Sequence, residues 1–390
     1  TAGGRTIFTL VVNGDGSWSF DLDDQIDHKL VATNPDDSTL LDDGGDGISG
    51  IDFSPVLIGT DKDGDFVTGA EAGSFVISIE NDVPEDSGSD VTVFVAEDGL
   101  LGGLLDDTPD NDDGGGIADD ADVAVQSGID LSGTVTSGAD EDVTWAWADD
   151  LTGLALPSNL KSAGDLITWA INGAGDLAAI ATDGDSNERE VLTVSLTSGG
   201  IAVVTLKDQF DHSGGNNDEE QLPLDLSAAL LATDADGDTV VPGTGSFVVN
   251  VENDLPVADD AATPITASVQ EDALDEADGT DDDQSTGLPD DGSDTDEASG
   301  ADGGADDLTT LFKSGADAPL TVSLKQGVVT SDLPTLTSDG DALIYSVSGD
   351  TLTATTAGGR TIFTLVVNGD GSWSFDLDDQ IDHKLVATNP

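Results

Sequence analysis

Two short acidic motifs have the composition and spacing of a cation-binding loop. In each motif three aspartates alternate with other residues around a glycine; the six aspartates are Asp61, Asp63, Asp65, Asp234, Asp236 and Asp238. Carboxylate oxygens at this spacing suit Ca²⁺, which takes about six to eight oxygen ligands in a tolerant geometry. An ordinary acidic turn is the alternative, because Asp and Gly are common turn residues. Recurrence of the motif at equivalent positions favours a metal site.

Further acidic residues lie where one segment of the chain ends and the next begins. The sequence E-N-D-x-P occurs at 80–84 and at 252–256, and a Glu-Asp pair follows each occurrence. The candidate ligands are Glu80, Asn81, Asp82, Glu97, Asp98, Glu252, Asn253, Asp254, Glu271 and Asp272. We expect acidic groups from the two sides to share one Ca²⁺ across each joint; the alternative is that they only solubilise a linker. The proline keeps the residue before it extended, which predicts a short, stiff joint.

Other polar motifs offer less specific chemistry. Asp183 and Asp185 form a further candidate loop, although its counterpart at 338–341 is only partial. The histidines His28, His212 and His383 all lie in the same D-Q-[IF]-D-H element. Catalysis or transition-metal binding would be possible for them, but one copy per repeat favours a structural role at a strand end. The sequence has no P-loop, no H-E-x-x-H and no serine-nucleophile elbow, so we predict that it is not an enzyme.

The elements that must position these residues are tandem repeats. Residues 1–35 return letter for letter as 356–390, and the ordered motifs recur inside that period. They divide the chain into the C-terminal part of one repeat at 1–84, a complete repeat at 85–256, and the N-terminal part of the next at 257–390. Such faithful copying is typical of a spacer, a segment whose function is to provide length.

The secondary-structure signal is β throughout. Phe8, Leu10 and Val12 alternate with small or polar residues, and Asn13–Gly16 has the composition of a hairpin turn. Short strands with Gly/Asp turns predict an all-β chain of tandem immunoglobulin-like or cadherin-like β-sandwich domains. Asp/Gly-rich stretches at 106–122 and 272–307 are predicted as acidic insertions, either mobile loops or ordered multi-cation loops.

The amino-acid composition argues against several classes of binding partner. The formal net charge is −71, from 81 acidic and 10 basic residues, which opposes binding to nucleic acid or to an anionic membrane. No apolar run is long enough for membrane insertion. Cysteine is absent, so a hard cation is the expected source of added stability. High charge with few aromatic residues is also a signature of disorder, but the alternating apolar residues favour a folded, cation-loaded array.

The ordered motifs carry a family resemblance. The series Glu97-Asp98-Gly99, then 205–212, 233–238 and 245–256, resembles the immunoglobulin-like tandem repeats of giant RTX adhesins. The resemblance implies a calcium-binding extender, exported by type I secretion to the surface of a Gram-negative bacterium, that holds a distal binding domain for attachment and biofilm formation. The RTX nonapeptide is missing: residues 44–49 begin it but have Ser49 where Asp belongs. The E-N-D-x-P joint is similar to the calcium-binding linker of cadherins.

Two functions remain open from the sequence. The first is a non-enzymatic structural extender, monomeric and joined end to end, whose partners are the neighbouring repeats of the same chain. The second is a calcium-dependent carbohydrate- or surface-binding module. Its support is Trp145, Trp147 and Trp169, which could stack on sugar rings if exposed, although burial is the default for large aromatic residues.

Overall fold

The computed structural model describes residues 4–28, 50–104, 123–140, 142–154, 156–212, 221–274, 283–287, 295–328 and 332–383. They belong to two compact units, Thr1–Asp254 and Leu255–Pro390. The division falls at the second E-N-D-x-P joint. Nearly all the regular secondary structure of the described residues is β-strand, as the alternating apolar pattern predicts. Among them the helices are single 3₁₀ turns, and none is long and apolar enough to cross a membrane.

The first part of unit 1 is built from short antiparallel ladders. Its strands are β1 Phe8–Val12, β2 Trp18–Leu22, β3 Ile51–Asp52, β4 Ile58–Thr60, β5 Phe66–Thr68 and β6 Val76–Ile77, with a 3₁₀ turn at Ser54–Val56. β1 pairs with β2, β3 with β6, and β4 with β5. The predicted hairpin at Asn13–Gly16 is confirmed: Gly16 has φ +87° and donates its N–H to the carbonyl of Asn13.

The complete repeat forms the rest of unit 1. Its strands are β7 Glu85–Asp86, β8 Val91–Ala96, β9 Val125–Asp130, β10 Val135–Thr136, β11 Thr144–Trp147, β12 Lys161–Ser162, β13 Asp165–Ile171, β14 Leu177–Thr182, β15 Glu188–Leu196, β16 Ile201–Leu206, β17 Gln221–Asp225, β18 Leu230–Thr233, β19 Thr239–Val240 and β20 Phe247–Glu252. Its 3₁₀ turns are Glu97–Gly99, Ser132–Thr134 and Ser227–Ala229.

These strands form one large and several small sheets. The large sheet has the order β12-β13-β14-β15-β16-β9 and is antiparallel throughout. Two three-stranded sheets have the orders β17-β20-β8 and β11-β18-β19, and β7 pairs with β10. β20 runs parallel to β8, so strands from opposite ends of the repeat lie side by side.

One hydrophobic core lies between these sheets. Phe247, Val249 and Val251 alternate along β20 and are fully buried, and they belong to the same cluster as Leu177 and Val204 from the large sheet. Period-two burial on facing sheets is the pattern of a β-sandwich.

Unit 2 contains the same large sheet. Its strands are β21 Val257–Ala258, β22 Glu297–Gly300, β23 Phe312–Lys313, β24 Thr337–Ser338, β25 Asp341–Ser348, β26 Thr351–Thr356, β27 Thr361–Val367 and β28 Trp373–Leu377, with 3₁₀ turns at Glu271–Ala273 and Leu308–Leu311. The sheet order is β22-β28-β27-β26-β25-β24, and β21 pairs with β23. The core is small and centres on Leu343, Tyr345, Leu352 and Ile362.

The predicted acidic insertions have different outcomes. The stretch 106–122 lies outside the described residues. The prediction of a loop over the whole of 272–307 is wrong at its C-terminal end, where β22 pairs with β28 and Ala298 lies opposite Phe375. The strand was missed because Glu297–Gly300 has almost no apolar side chain, and its ladder is formed by the backbone alone.

Candidate metal centre

Three aspartates from two distant segments of the complete repeat lie close together. One carboxylate oxygen each from Asp140, Asp234 and Asp236 lies within 4.8 Å of the others, and we call this group the joint cluster. Asp140 is 2% exposed and Asp234 is 6% exposed. Aspartates this deeply buried need partners, because an isolated buried charge is strongly unfavourable.

The Asp234–Asp238 loop holds its first carboxylate in place through the backbone. Oδ1 of Asp234 accepts hydrogen bonds from the N–H groups of Gly237 at 3.0 Å and Asp238 at 2.8 Å. Gly237 has φ +107°, a conformation that favours glycine. The turn therefore fixes one oxygen, and the other, Oδ2, is buried with no hydrogen-bond partner among the described residues.

Asp140 enters the cluster from the S-G-A-D sequence at 137–140. Gly138 has φ +71°, and a Cβ atom built on it would lie 2.6 Å from Oδ2 of Asp82. The same oxygen accepts the N–H of Ala139 at 2.6 Å. Glycine is needed here for both its dihedral and the close approach. The E-N-D motif thus holds the loop that presents Asp140.

Residues that precede the complete repeat contact the cluster and the Asp234–Asp238 loop. The backbone N–H of His28 donates to Oδ2 of Asp236 at 2.9 Å. The side-chain amide of Asn81, itself 6% exposed, donates to Oδ2 of Asp238. The joint cluster therefore lies where the end of one repeat meets the acidic loop of the next.

The electrostatics of the cluster disfavour three negative charges. Burial, and then the neighbouring Asp236, raise the pKa of Asp234 to about 6. Burial, and then the charge of Asp236, also raise the pKa of Asp140, although nearby His28 opposes this. Desolvation and like charges both favour the protonated form of a carboxyl group. A bound cation would remove that preference by supplying the missing positive charge.

The buried carboxylate oxygens of the joint cluster indicate whether its residues fit a cation. Oδ1 of Asp140, Oδ2 of Asp234 and Oδ1 of Asp236 are all buried, and no group in the described part of the chain forms a hydrogen bond with them. A buried oxygen without a hydrogen-bond partner is rare in a folded protein. All the donors are carboxylates, which suit a hard cation such as Ca²⁺ better than a soft one. The residues of the joint cluster fit such an ion.

The first D-x-D-G-D loop has the same turn in a different setting. Asp61, Asp63 and Asp65 also have one oxygen each within 4.8 Å of the others, but all three are exposed. Oδ1 of Asp61 accepts from Gly64 and Asp65 as Asp234 does in its own loop. The pKa of Asp61 is lowered from its ordinary value, mainly by a side-chain hydrogen bond with Asp63. The described part of the chain brings no buried aspartate to this loop.

The Glu-Asp pairs have their own partners. Oε1 of the fully buried Glu97 accepts the backbone N–H of Phe210 at 2.6 Å and lies 3.3 Å from Nε2 of His212. Burial raises the pKa of Glu97, and the hydrogen bond and charge of His212 oppose that rise. In unit 2, Glu271 lies at the same two distances from Ile381 and His383. The first acid of each pair thus fastens the D-Q-x-D-H element of its own repeat.

The remaining predicted ligands are spread over the chain. Glu80 and Asp272 are exposed, Glu252 and Asn253 are half-buried, Asp98 is buried, and the buried Asp254 accepts the N–H of Leu104 at 3.2 Å. The carboxylate of Asp183 accepts from the N–H groups of Asp185 and Asn187, as in an acidic turn. The structure therefore joins Asn81 to the Asp234–Asp238 loop and Asp82 to the loop that carries Asp140, and it gives Glu97 other partners.

The three tryptophans that could stack on sugar rings are all at least partly buried. Trp145 is 4% exposed and lies in the core, and Trp147 and Trp169 are half-buried against it. Ala146, between the first two, faces solvent. Burial removes the ring of Trp145 from sugar stacking, and packing against the core leaves the rings of Trp147 and Trp169 only partly accessible.

Asp140 is the one member of the joint cluster that was not predicted from the sequence. It lies far from the D-x-D-G-D loop in the chain, so spacing gives no indication of it. The available signal was the recurrence of S-G-A-D at 137–140 and 314–317, in matching positions of two repeats. Comparisons with protein-family models, with curated proteins and with solved structures found no match for this chain.

Proposed function

We propose that this chain is a structural extender segment of a large bacterial surface adhesin, in which calcium stiffens a string of β-sandwich repeats. The single observation that carries the proposal is the joint cluster, where buried carboxylates of the complete repeat meet residues of the repeat before it. A site at a joint affects the angle between repeats, and a site on an outer face would not. The immunoglobulin-like and cadherin-like character of the domains belongs to this proposal, supported by the shared core of facing sheets.

The chain's own residues define how the joint would stiffen. Asp236 accepts the N–H of His28 through Oδ2 and is also one of the three aspartates of the cluster. Asp82 holds the Ala139 N–H and thereby the loop that carries Asp140. A bound Ca²⁺ would supply the positive charge that lets Asp140, Asp234 and Asp236 remain ionised together. Movement of the preceding repeat would then have to break bonds to residues that the ion holds.

Because ion binding and folding are thermodynamically linked, the same site also has a role in folding. The net charge of −71 opposes compaction where calcium is scarce. Ions that bind only the folded form stabilise it, by about 2.7 kcal/mol per site at a hundredfold excess over Kd. Low calcium inside a cell would keep the chain unfolded for export, and higher calcium outside would fold it at the bacterial surface.

Calorimetric titration of the full chain with Ca²⁺ tests the proposal. In Asp140→Asn the tightest class of sites should weaken on the order of tenfold, about 1.4 kcal/mol, because one of three charges is lost. Asp61→Asn is the matched control, since it changes the exposed loop of the same motif. Retention of the tight class in Asp140→Asn, or its loss only in Asp61→Asn, would contradict the assignment.

A further inference from the structure

The first long strand and the last strand of the complete repeat are neighbours. β8 (Val91–Ala96) follows the joint with the preceding repeat, and β20 (Phe247–Glu252) leads into the next joint. The two strands pair in parallel over their whole length. Tension along the chain can therefore pass from β8 directly into β20, without passing through residues 97–246, which connect them.

The parallel direction determines how this pair is loaded. The chain enters β8 at Val91 and leaves β20 at Glu252, and the register places these residues at opposite ends of the pair. Tension between the two joints therefore pulls the strands past each other along their own axis. Strands that slide must break their shared hydrogen bonds together, whereas strands that are peeled apart break them one at a time. The evenly spaced bonds of a parallel pair share such a load.

The hydrogen bonds of the pair come from alternate residues of β8. The N–H of Val91 donates to the carbonyl of Ser246 at 3.0 Å. In a parallel ladder every second residue of the strand bonds to the same neighbour. The N–H of Ala96, which has the opposite phase, donates instead to the carbonyl of Val123 at 3.1 Å. The residues in phase with Val91 therefore hold β8 to β20.

The apolar side of the pair is closed to water. Val93 and Val95 of β8, and Phe247, Val249 and Val251 of β20, are all buried in the core. A backbone group that loses its partner in such surroundings cannot exchange it at once for water, so the broken bond is costly. Burial thus raises the resistance of the pair to sliding.

Each strand also has a buried anchor at the end that would have to follow the movement. β8 is pulled toward its N-terminal end, so Glu97 would have to follow; it is fully buried and accepts the N–H of Phe210 at 2.6 Å. β20 is pulled toward its C-terminal end, so Phe247 would have to follow; it is fully buried and donates its N–H to Oγ of Ser227 at 2.9 Å. Neither strand can slide until a buried side chain leaves its place.

We infer that β8 and β20 form a shear clamp, a strand pair that carries tension from one joint to the next and keeps it away from residues 97–246. The role of the clamp rests on the proposed function, because tension passes through every repeat of an extender. The joint cluster is a separate device. Its aspartates Asp140, Asp234 and Asp236 lie in the segment that the clamp protects, so the strength of the clamp does not depend on an ion there.

Force spectroscopy of the full chain in Ca²⁺ tests the clamp, because the chain has no cysteine and handles can be placed by substitution. Ser89→Cys with Pro256→Cys, exposed positions just outside the two strands, loads the pair along its axis. Glu188→Cys with Lys207→Cys, at the same end of the antiparallel neighbours β15 and β16, peels the large sheet. At one pulling speed the first pair should yield at a several-fold higher force, in one step with the length of residues 89–256. Equal forces would overturn the inference.

Proline at two adjacent positions of β8 identifies the bonds that carry the load. Val91→Pro removes the N–H that donates to Ser246, whereas Thr92→Pro, at an exposed position, removes an N–H that faces away from β20. Val91→Pro should lower the rupture force between residues 89 and 256 and leave the peeling force unchanged. Thr92→Pro should change neither force. A Val91→Pro variant that weakens both directions equally would contradict the clamp.

Asp140→Asn distinguishes failure of the clamp from failure of the calcium joint. Its rupture force between residues 89 and 256 should equal that of the unmodified chain, although its tightest calcium binding is weakened. A force that falls together with calcium binding would show that the ion carries the load, and would overturn the clamp while supporting the joint site. An unchanged force with unchanged calcium binding would support the clamp and contradict the joint site.

Discussion

The backbone N–H of His28 donates a 2.9 Å hydrogen bond to Oδ2 of Asp236, and this bond connects the end of one repeat to the acidic loop of the next. Asp236 is also one of the three aspartates of the joint cluster. One carboxylate therefore belongs both to the contact between repeats and to the candidate cation site.

The Asn81–Asp238 bond should contribute measurably to the joint. Asn81→Ala leaves the buried Asp238 without its amide donor, so the free energy of unfolding should fall by about 1–3 kcal/mol. Asn13→Ala is the control, because Asn13 makes its side-chain bond to Ser17 in an exposed turn, and its loss should change stability by less than about 0.5 kcal/mol. Urea denaturation in EDTA measures both. Equal losses would show that the buried bond is unimportant.

Asp234 should make stability depend on pH when calcium is removed. Its pKa is about 6 in the folded chain against an ordinary 3.8, so between these values only the folded state holds the proton. Stability in EDTA therefore falls as pH rises through this window. Asp234→Asn keeps an oxygen for Gly237 and Asp238 but removes the charge. It should be more stable than the unmodified chain at pH 7.5, and the difference should shrink toward pH 4.

Denaturation in EDTA across that pH range provides the measurement. In saturating Ca²⁺ the order should reverse at pH 7.5, because the ion then favours the carboxylate over the amide. A variant that is less stable than the unmodified chain in EDTA at pH 7.5 would contradict the electrostatic account of the joint cluster.

Gly138 should be intolerant of a side chain. Gly138→Ala places a methyl group 2.6 Å from Oδ2 of Asp82 at φ +71°, so it combines backbone strain with a clash. Gly128→Ala is matched in φ, at +74°, but meets nothing within 4 Å. We expect about 1 kcal/mol of destabilisation from Gly128→Ala and about 1–3 kcal/mol more from Gly138→Ala. Thermal unfolding compares them, and equal losses would argue against contact with Asp82.

Glu97 should fasten the D-Q-F-D-H element within its own repeat. Glu97→Ala removes the acceptor of the buried Phe210 N–H, which should destabilise the repeat by about 1–3 kcal/mol. The amide of Phe210 should also exchange with solvent faster. Glu188→Ala, at an exposed strand position, should have little effect on either. Unchanged exchange at Phe210 in Glu97→Ala would contradict this role.

Local patterns predicted much of the fold. The hairpin around Asn13–Gly16 and the alternation of Phe247, Val249 and Val251 could be predicted because turn chemistry and period-two burial are properties of a few consecutive residues. The parallel pairing of β20 with β8 could not, because it joins opposite ends of the repeat. The different lengths of β6 and β20 have the same cause: their sequences are similar, but only β20 has β8 beside it.

The candidate site was only partly predictable for a related reason. The sequence indicated Asp234 and Asp236 as ligands and placed Asn81 and Asp82 at a joint, but it treated the two groups as separate sites. Three-dimensional packing brings them together and adds Asp140. Asp238, which has the same spacing as the other two, instead binds Asn81. Spacing identifies residues that can be ligands, and only the fold determines which of them share a point.

Distances between spin labels on either side of the joint test the central claim most directly. Ser19→Cys and Ser158→Cys place the labels at exposed positions of the first part and of the complete repeat, in a chain with no other cysteine. At concentrations where the chain is monomeric, Ca²⁺ should narrow a broad distance distribution in EDTA to one sharp population. Adding Asp140→Asn should leave it broad at the same calcium concentration. A distribution that is equally wide with and without Ca²⁺ would contradict a calcium-stiffened joint.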